Sequence, residues 1–391
     1  MWTRRYAGIL VAVFLASTAS GLNRPSIAYF VRYTLHGSVL AAAGLTSGFM
    51  TGRALASVLG GFLGDLSRRI RWILASTPVF FASLIAYTIP SMDSVGAILV
   101  LMGLWGLLAG FTWPSVQTIT AHLAKPRSNT ALSIYFAIGT VGIAFGNKLF
   151  GLLHASYAAM IRWSSVLMFL AGVTLLISTI GVETPEAGGR RLARNIARAA
   201  RHGLIVWVLV AAFTVGMLSG LMREYFYIYA HEIFGTTKQD LGNILLLTGL
   251  AGAAVGLVAG RLGDIRGLPI ALTSVLLGAA LGGIGIGMAS GLWSLLAFYL
   301  LAGASSRASM PLTRNATLVE GAGGGAIVGL SNAINNLGMI VGPMIGGALY
   351  GYKPLGPRLP YIIVGALLVL VAIGYWLVRP RQGGKVVVVG A

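Results

Sequence analysis

The sequence predicts an all-helical integral membrane protein with twelve transmembrane helices in two pseudo-symmetric six-helix bundles. Its 391 residues are 57% hydrophobic and only 9% charged, whereas soluble domains are about one quarter charged. Apolar segments long enough to cross a bilayer recur along the whole chain. Short motifs of the first half return in the second half at a nearly constant distance. Composition, segment length and repetition therefore indicate the same architecture.

Twelve apolar segments form the predicted spans, and most have about 20 residues or more, enough for a hydrocarbon core about 30 Å thick. Each is predicted to be a helix, because a single helix satisfies its own backbone hydrogen bonds in lipid. The start of the chain resembles a secretory signal peptide, but its end recurs in the second half, and we expect it to be retained. Numbered in chain order, the spans cover residues 6–33, 39–63, 71–90, 95–120, 131–154, 161–181, 203–230, 241–262, 268–289, 292–316, 325–350 and 359–378.

The loops differ in their content of Lys and Arg. Seventeen of these residues lie in the termini and loops of one side, and five lie in the loops of the other side. The positive-inside rule therefore predicts a multi-pass protein of the cell membrane with both termini in the cytoplasm. The longest polar segment, residues 182–202, is predicted to be a basic cytoplasmic linker between an N-terminal bundle, 1–181, and a C-terminal bundle, 203–391.

Three motifs repeat between the two halves. The sequence GFLGD at 61–65 returns as GRLGD at 260–264, and SGLNR at 20–24 returns as SGLMR at 219–223, both 199 residues later. The sequence GIAFGN, which begins at Gly142, returns as GMIVGP 196 residues later. Because each match falls at the same point of its half, the chain is predicted to contain a duplicated six-helix unit.

Composition also excludes several functional classes. The chain has no cysteine, its five histidines show no metal-ligand spacing, and no nucleotide-binding loop is present. We therefore expect no enzyme activity, no cofactor and no metal. The net charge of +19 is explained by basic cytoplasmic loops rather than by a nucleic-acid partner. The expected partners are a small-molecule substrate and the lipid bilayer, and the expected functional unit is a monomer.

At these motifs the sequence resembles the major facilitator superfamily, over essentially the whole chain. That family has Gly-x-x-x-Asp followed by basic residues after its second helix, often echoed after its eighth, and GFLGD and GRLGD match the two copies. Leu66 stands where the family usually has Arg or Lys. The resemblance implies the fold of that family and a loop that stabilises its outward-facing state. The residues it implies for gating or coupling are Asp65, Arg69 and Asp264.

The sequence GMIVGPMIGG in the eleventh span resembles a family pattern best known from the fifth helix of proton-coupled exporters. The fifth-span copy has Asn147 and Lys148 where the pattern has Pro and an apolar residue, and this departure argues against an exporter. Met102 likewise stands where many proton-coupled members carry a buried Arg. We interpret the glycine pattern as close helix packing, and its residues are Gly338, Gly342, Pro343, Gly346 and Gly347.

Charged residues inside the predicted spans give the main indication of the substrate. Ionisable groups at this depth are costly, at least about 2.5 kcal/mol each, and usually face an aqueous cavity. Six cations stand against one acid, an imbalance that favours an anionic ligand. These residues are Arg24, Arg53, Lys148, Arg223, Arg307, Arg314 and Glu224.

Two arginines break the repeat symmetry. Arg53, near the middle of span 2, has Gly252 at its repeat position, and Arg307 in span 10 has Gly110 at its own. Residues that differ between halves are better placed to select a substrate than to maintain a shared scaffold, although Arg53 could also serve a structural role. In the resembled family, spans 1, 4, 7 and 10 line the central cavity. The predicted substrate-binding residues are Arg53, Arg307, Arg24, Asn335 and Asn336.

Arg24 and Arg223 occupy equivalent repeat positions, which favours a gating or structural role for this pair. Glu224 is predicted to be a proton-coupling residue or the ion-pair partner of Arg223. Three tyrosines that follow in the seventh span are predicted to be interfacial anchors, namely Tyr225, Tyr227 and Tyr229.

The sequence therefore predicts a secondary transporter that works by alternating access and moves a small organic or inorganic anion. Because buried carboxylates are few, exchange or uniport fits better than proton symport, which Glu224 keeps open as an alternative. The first alternative is a proton-coupled exporter of drugs or sugars, with neutral or anionic cargo. The second is a membrane receptor or scaffold that uses the same fold without transport.

Overall fold

A computed structural model describes residues 4–66, 70–124, 128–183, 203–320, 325–352 and 354–378. Helices joined by short loops make up these residues, and no strand occurs among them. The linker predicted at 182–202 falls almost entirely outside the described residues. The bundle boundaries based on it therefore remain a prediction.

The N-terminal half contains six long helices, which match predicted spans 1–6. A π-helical turn, Phe30–Thr34, extends the first, and a 3₁₀ turn, Ile89–Ser91, extends the third. Ser94 and Ser156 accept hydrogen bonds from backbone N–H groups in the first turns of spans 4 and 6. The six helices are Arg4–Tyr29, Val39–Leu66, Ile70–Thr88, Val95–Leu123, Ser128–Leu152 and Tyr157–Thr179.

The C-terminal half also contains six spans, but span 7 consists of two helices, Gly203–Leu221 and Glu224–Phe234, which meet at an angle of 50°. A capping box of Thr237 and Asp240 begins span 8. The remaining helices are Lys238–Arg266, Leu268–Met288, Leu292–Glu320, Gly325–Leu349 and Leu359–Val378.

Length and composition identify most of these helices as membrane spans. Among the described residues, eight helices are long and apolar enough to cross a bilayer, or nine when the two parts of span 7 count as one. The other three, Val39–Leu66, Leu292–Glu320 and Gly325–Leu349, are as long as their neighbours and pack within the same bundles.

The packing of the helices follows the repeat. In the N-terminal bundle, span 1 packs against spans 5 and 6, span 2 against span 4, and span 3 against spans 4 and 6. Each of these pairs has its equivalent six spans later. Between the bundles, span 2 packs against span 11, and its equivalent is the contact of span 8 with span 5. The predicted fold of two pseudo-symmetric six-helix bundles is thus confirmed.

Glycines allow the closest helix contacts at equivalent places in both halves. A Cβ atom at Gly146 of span 5 would lie 2.1 Å from the Thr18 carbonyl oxygen of span 1. A Cβ atom at Gly342 of span 11 would lie 2.2 Å from the Met217 carbonyl oxygen of span 7. Any larger side chain would separate these backbones, so both halves depend on glycine here.

The two bundles meet at one end of the molecule, which we call the closed end and which includes the loop 35–38. Ser47 Oγ of span 2 donates to the Ile340 carbonyl oxygen of span 11 at 2.9 Å. Lys148 Nζ of span 5 donates to Asn243 Oδ1 of span 8. These contacts lie on the two symmetry-related seams and join the two bundles at this end.

Candidate functional site

A cavity of about 290 Å³ lies near the middle of the spans, mainly within the N-terminal bundle. Three guanidinium groups belong to its wall, from Arg24 of span 1, Arg53 of span 2 and Arg223 at the break in span 7. The described wall contains no Asp or Glu. The cavity is therefore a positively charged site enclosed by apolar helices.

No described acidic side chain contacts Arg24 or Arg223, although Glu224 lies close enough to Arg223 to attract it electrostatically. Neither Arg24 nor Arg223 forms an ion pair or hydrogen bond with its side chain within the described part of the chain. The Arg24 guanidinium carbon lies 5.7 Å from the centroid of the Phe49 ring, a cation–π contact. Arg223 lies close enough to Arg24 and Arg53 for electrostatic repulsion. An anion in the cavity would relieve this repulsion.

Polar uncharged groups complete the wall. Asn23 Nδ2 donates to Ser164 Oγ at 2.6 Å, which fixes the amide between spans 1 and 6. Gln117 and Tyr135 share a hydrogen bond across spans 4 and 5. Thr112 is buried, and its hydroxyl oxygen has no partner among the described residues.

Arg307, predicted to bind the substrate together with Arg53, is not part of this wall. Its side chain lies over the glycines of span 8, where a Cβ atom at Gly252 would lie 2.7 Å from Arg307 Cδ. A Cβ atom at Gly249 would lie 3.5 Å from Arg307 Nη1. Arg307 remains within electrostatic reach of Arg24. Gly252, the repeat mate of Arg53, thus makes room for the second asymmetric arginine.

The break in span 7 is held open by tyrosines of neighbouring helices. Helix ends leave carbonyl groups without partners inside the helix. Tyr361 donates to the Leu221 carbonyl oxygen at 3.0 Å, and Tyr299 donates to that of Met222 at 2.8 Å. These hydrogen bonds satisfy the free carbonyls and stabilise the 50° bend.

Glu224 begins the second helix of span 7 and is not part of the cavity wall. Its side chain is buried and accepts a hydrogen bond from the Thr46 hydroxyl group of span 2. A carboxylate is favoured at this position because helix N-termini carry partial positive charge. The alternative of an ion pair with Arg223 is not realised in the structure. Adjacent residues of the break therefore serve different neighbours, with Arg223 in the cavity and Glu224 against span 2.

The tyrosines after the break are not interfacial anchors, and that prediction is wrong. Tyr225, Tyr227 and Tyr229 are all buried. Tyr225 donates to the Pro357 carbonyl oxygen at 2.8 Å, and Tyr229 donates to that of Ile286 at 3.0 Å. The bend turns this helix into the bundle, where the hydroxyl groups find backbone partners.

The two asparagines predicted to bind substrate lie outside the cavity wall. Asn335 is buried, and its Nδ2 donates to the Ala212 carbonyl oxygen of span 7 at 2.9 Å. Asn336 is half-buried on the same helix. The amide of Asn335 therefore joins spans 7 and 11, a frequent role of Asn between membrane helices.

The glycines of GMIVGPMIGG pack against two helices. A Cβ atom at Gly338 would lie 2.0 Å from the Phe213 carbonyl oxygen of span 7, and one at Gly347 would lie 2.6 Å from Leu40 Cα of span 2. Gly346 faces the ring of Tyr225. The Pro343 ring packs against Gly220 of span 7.

The gating motif after span 2 and its echo after span 8 cannot be assigned contacts. The side chains of Asp65 and Asp264 lie outside the described residues, as do Arg69 and the side chain of Arg314. Their predicted roles remain predictions.

The closed end contains a cluster that we call the latch, formed by Arg32, Tyr33, His231, Glu232 and Tyr350. Arg32 Nε and Glu232 Oε1 form an ion pair at 2.6 Å between spans 1 and 7. Tyr350 of span 11 donates to Glu232 Oε2 at 3.0 Å. The rings of Tyr33 and His231 meet edge-on with centroids 5.3 Å apart. The latch therefore ties three helices of both bundles together.

Sequence reasoning missed the aromatic part of the cavity wall. Phe49 of span 2 and Trp105, Thr112 and Trp113 of span 4 all belong to it. The span 4 residues recur at intervals of seven or eight, which places them on one helix face. That spacing, together with the cavity-lining role of the fourth helix in the resembled family, was the available signal.

Comparison with known proteins supports the architecture. The sequence profile of the Major Facilitator Superfamily matches residues 9–323 and 231–388. Two curated relatives, each called multidrug resistance protein MdtG, match nearly the full chain. The protein of Enterobacter lignolyticus is 22% identical, over 98% of this chain and 94% of its own length. The protein of Serratia proteamaculans is 28% identical, over 97% and 95%.

Solved structures share the fold at low sequence identity. The nucleoside transporter NupG superposes with a TM-score of 0.78 at 12% identity, over 96% of this chain and 99% of its own. A bacterial homologue of the human lysosomal transporter Spinster, in an inward-facing and unoccupied conformation, gives a TM-score of 0.74 at 14% identity, over 96% and 97%. At these identities the likeness shows the fold alone.

Proposed function

The chain belongs to the Major Facilitator Superfamily, and on that premise we propose that it carries a small organic anion across the cell membrane by alternating access. Its relatives and structural neighbours are membrane transporters rather than enzymes. The proposal that the substrate is an organic anion goes beyond family membership, and it rests on the residues of the cavity wall.

The observation that carries the proposal is the charge of the cavity wall. Arg24, Arg53 and Arg223 belong to it, and its described part contains no acid. Guanidinium groups bind carboxylate and phosphate oxygens through paired hydrogen bonds, and such bonds are strong where water is excluded. A lipophilic cation would instead meet repulsion from three sides.

Alternating access requires one end of the cavity to close while the other opens. The latch and the seams of spans 2 with 11 and 5 with 8 close one end. By the predicted orientation, in which both termini are cytoplasmic, the closed end faces outside.

We propose Glu224 as the residue through which transport would be coupled to protons. Its contact with Thr46 joins the two bundles, so opening the closed end must break it. In an outward-open state the carboxylate would face outside water, where a proton could bind. We expect Glu224→Gln to abolish acid-driven flux while leaving anion counterflow intact if the transporter is a proton symporter. Full retention of acid-driven flux would instead favour exchange or uniport.

A second candidate function is export of drug-like molecules, and the names of the MdtG relatives favour it. The cavity limits that cargo to anionic or neutral compounds, because no described wall residue offers a negative charge. A measurement of transport separates these two candidates from a receptor or scaffold role, because a receptor or a scaffold does not need to move solute.

The test is counterflow in proteoliposomes with a panel of carboxylates, phosphate, nitrate and sugars. We expect at least one organic anion to exchange, and we expect Arg24→Ala and Arg53→Ala to lower its rate about tenfold or more. Arg162→Ala is the matched control, because this arginine is exposed, lies outside the cavity wall and contacts the ring of Tyr87. Failure of every anion would overturn the proposal, and undiminished flux in both variants would refute the assigned residues.

A further inference from the structure

We infer that the cavity selects anions that carry an aromatic ring, with the ring against Phe49 and Trp105 and the anionic group among Arg24, Arg53 and Arg223. This inference rests on the proposed transport of an organic anion and narrows its chemical class. Rings, volume and one hydroxyl group of the cavity wall support it in addition to the charges.

Five aromatic side chains belong to the cavity wall beside the arginines. The Phe49 and Trp105 rings meet edge-on, with centroids 6.5 Å apart and an interplanar angle of 76°. Aromatic rings prefer such edge-to-face and offset arrangements, and a ligand ring can join them in the same way. The aromatic wall residues are Phe49, Trp105, Trp113, Tyr135 and Phe136.

The cationic and aromatic parts of the wall adjoin each other at Phe49. The Arg24 guanidinium carbon lies 5.7 Å from the centroid of this ring. A ligand whose carboxylate reaches Arg24 therefore places its next atoms beside Phe49. A flat, electron-rich ring can pack against both the guanidinium plane and the phenyl ring, whereas a saturated ring gains only apolar contact.

The volume of the cavity excludes the smallest anions as good substrates. A water molecule occupies about 30 Å³ in the liquid, so about 290 Å³ corresponds to roughly ten water-sized groups. Chloride or nitrate would leave most of the aromatic wall in contact with water. A molecule of about ten to fifteen non-hydrogen atoms would cover that wall and displace the water.

One hydroxyl group indicates a second polar contact. Thr112 is 2% exposed, belongs to the cavity wall, and its Oγ1 has no partner in the described part of the chain. A buried hydroxyl group without a partner costs free energy. A phenolic hydroxyl group, a ring nitrogen or a second carboxylate oxygen on the ligand would satisfy it.

The first test compares three probes of matched size by calorimetric titration of the full chain in lipid nanodiscs. The probes are 2-naphthoate, its saturated counterpart decahydro-2-naphthoate and the neutral 2-naphthylmethanol. We expect 2-naphthoate to bind at least about tenfold more tightly than either. Equal binding of the saturated acid would overturn the aromatic inference and leave the organic-anion proposal standing. Equal binding of the alcohol would overturn both, and no detectable binding of 2-naphthoate would overturn the inference.

The second test uses side-chain variants. Phe49→Leu keeps the apolar volume but removes the ring, so we expect about tenfold weaker binding of 2-naphthoate and less than a twofold change for decahydro-2-naphthoate. Phe81→Leu is the matched control, because Phe81 is 56% exposed on span 3 and lies outside the wall. If Phe49→Leu does not fold, Trp105→Leu takes its place with the same expected result. Equal weakening of both acids would contradict recognition of the aromatic ring.

Discussion

The closed end and the central cavity use the duplicated frame in opposite ways. Arg32 and Tyr33 of span 1 occupy the same repeat positions as His231 and Glu232 of span 7, 199 residues later. Arg32 pairs with Glu232, and Tyr33 packs against His231. The pseudo-twofold relation of the halves exchanges these two contacts, so each half supplies one partner to each contact.

The cavity departs from this symmetry. Among the described residues of its wall, Arg223 alone comes from the C-terminal bundle. The repeat mates of Arg53 and Arg307 are Gly252 and Gly110. The N-terminal half therefore carries its arginine on span 2, and span 4, which packs against span 2, carries Gly110. The C-terminal half carries its arginine on span 10, and span 8, which packs against span 10, carries Gly252.

The difference between the closed end and the cavity indicates which parts of a duplicated transporter can diverge between its two halves. Rocking of two halves about a central axis needs equivalent contacts on both sides, and the latch and the glycine contacts keep them. A ligand without twofold symmetry needs unequal contacts, and the cavity provides them. Four predictions test this division, in order of decreasing expected effect.

The largest effect is expected for the repeat mates that both halves bring to the cavity. Arg24→Ala and Arg223→Ala should each weaken binding of 2-naphthoate about a hundredfold, or about 2.7 kcal/mol, because a desolvated charged contact is lost. Calorimetric titration measures this, with Arg162→Ala as the exposed control. If binding of 2-naphthoate weakens in only one of the two variants, Arg24 and Arg223 do not contribute equally, and the symmetric role of this pair is contradicted.

The glycine contacts should give equal losses of stability in the two halves. Gly146→Ala and Gly342→Ala place a methyl group 2.1 and 2.2 Å from backbone oxygens, a clash that costs about 1–3 kcal/mol. Thermal unfolding in detergent should show similar decreases of several degrees for both variants. Gly256→Ala is the control, because no atom lies within 4 Å of its added Cβ. Unequal decreases would show that the frame is not energetically symmetric.

Breaking the latch should shift the protein toward opening at the closed end. Glu232→Gln removes the ion pair with Arg32, which is partly exposed and contributes about 1 kcal/mol. The chain has no cysteine, so a single Ser47→Cys substitution beside Ile340 reports access from this end. We expect maleimide labelling there to become about fivefold faster.

Asp240→Asn is the matched control for the latch. Asp240 lies at the same end, but its carboxylate accepts hydrogen bonds from Thr237 of its own capping box rather than from the other bundle. Unchanged labelling in Glu232→Gln, or equal acceleration in the control, would contradict a locking role for the latch.

The smallest effect is expected for the glycine beneath Arg307. Gly252→Ala would place a methyl group 2.7 Å from Arg307 Cδ and displace the guanidinium group. Binding of 2-naphthoate should weaken about threefold, or about 0.7 kcal/mol, without loss of thermal stability. Gly256→Ala again serves as control. Unchanged binding would leave Arg53 as the asymmetric arginine that acts on the ligand.

Hydrophobic patterning was sufficient to predict the helices, because membrane spans must be long and apolar. Eleven of the predicted spans correspond to single helices with ends within a few residues. The break in span 7 was not predicted, since neither Met222 nor Arg223 is a helix-breaking residue. It is stabilised by hydroxyl groups of Tyr299 and Tyr361, distant in sequence.

The candidate site was predicted only in part. The position of a residue within a span indicates its depth in the membrane, but it does not determine the direction of its side chain. Arg24 and Arg53 line the cavity, as expected from charges near the middle of spans. Arg307 lies at similar depth but runs along the glycines of span 8. Asn335 bonds to a backbone carbonyl instead of facing the cavity. The rotation of each helix about its axis, set by packing, decides between these outcomes.

The break in span 7 has a pharmacological consequence. Arg223 belongs to the cavity wall, and the very next residue, Glu224, holds Thr46 of the opposite bundle. A compound that binds Arg223 tightly therefore acts one peptide bond away from a contact that keeps the two bundles together. We expect strong anionic blockers to trap a single conformation, so that potency and residence time rise together across an inhibitor series.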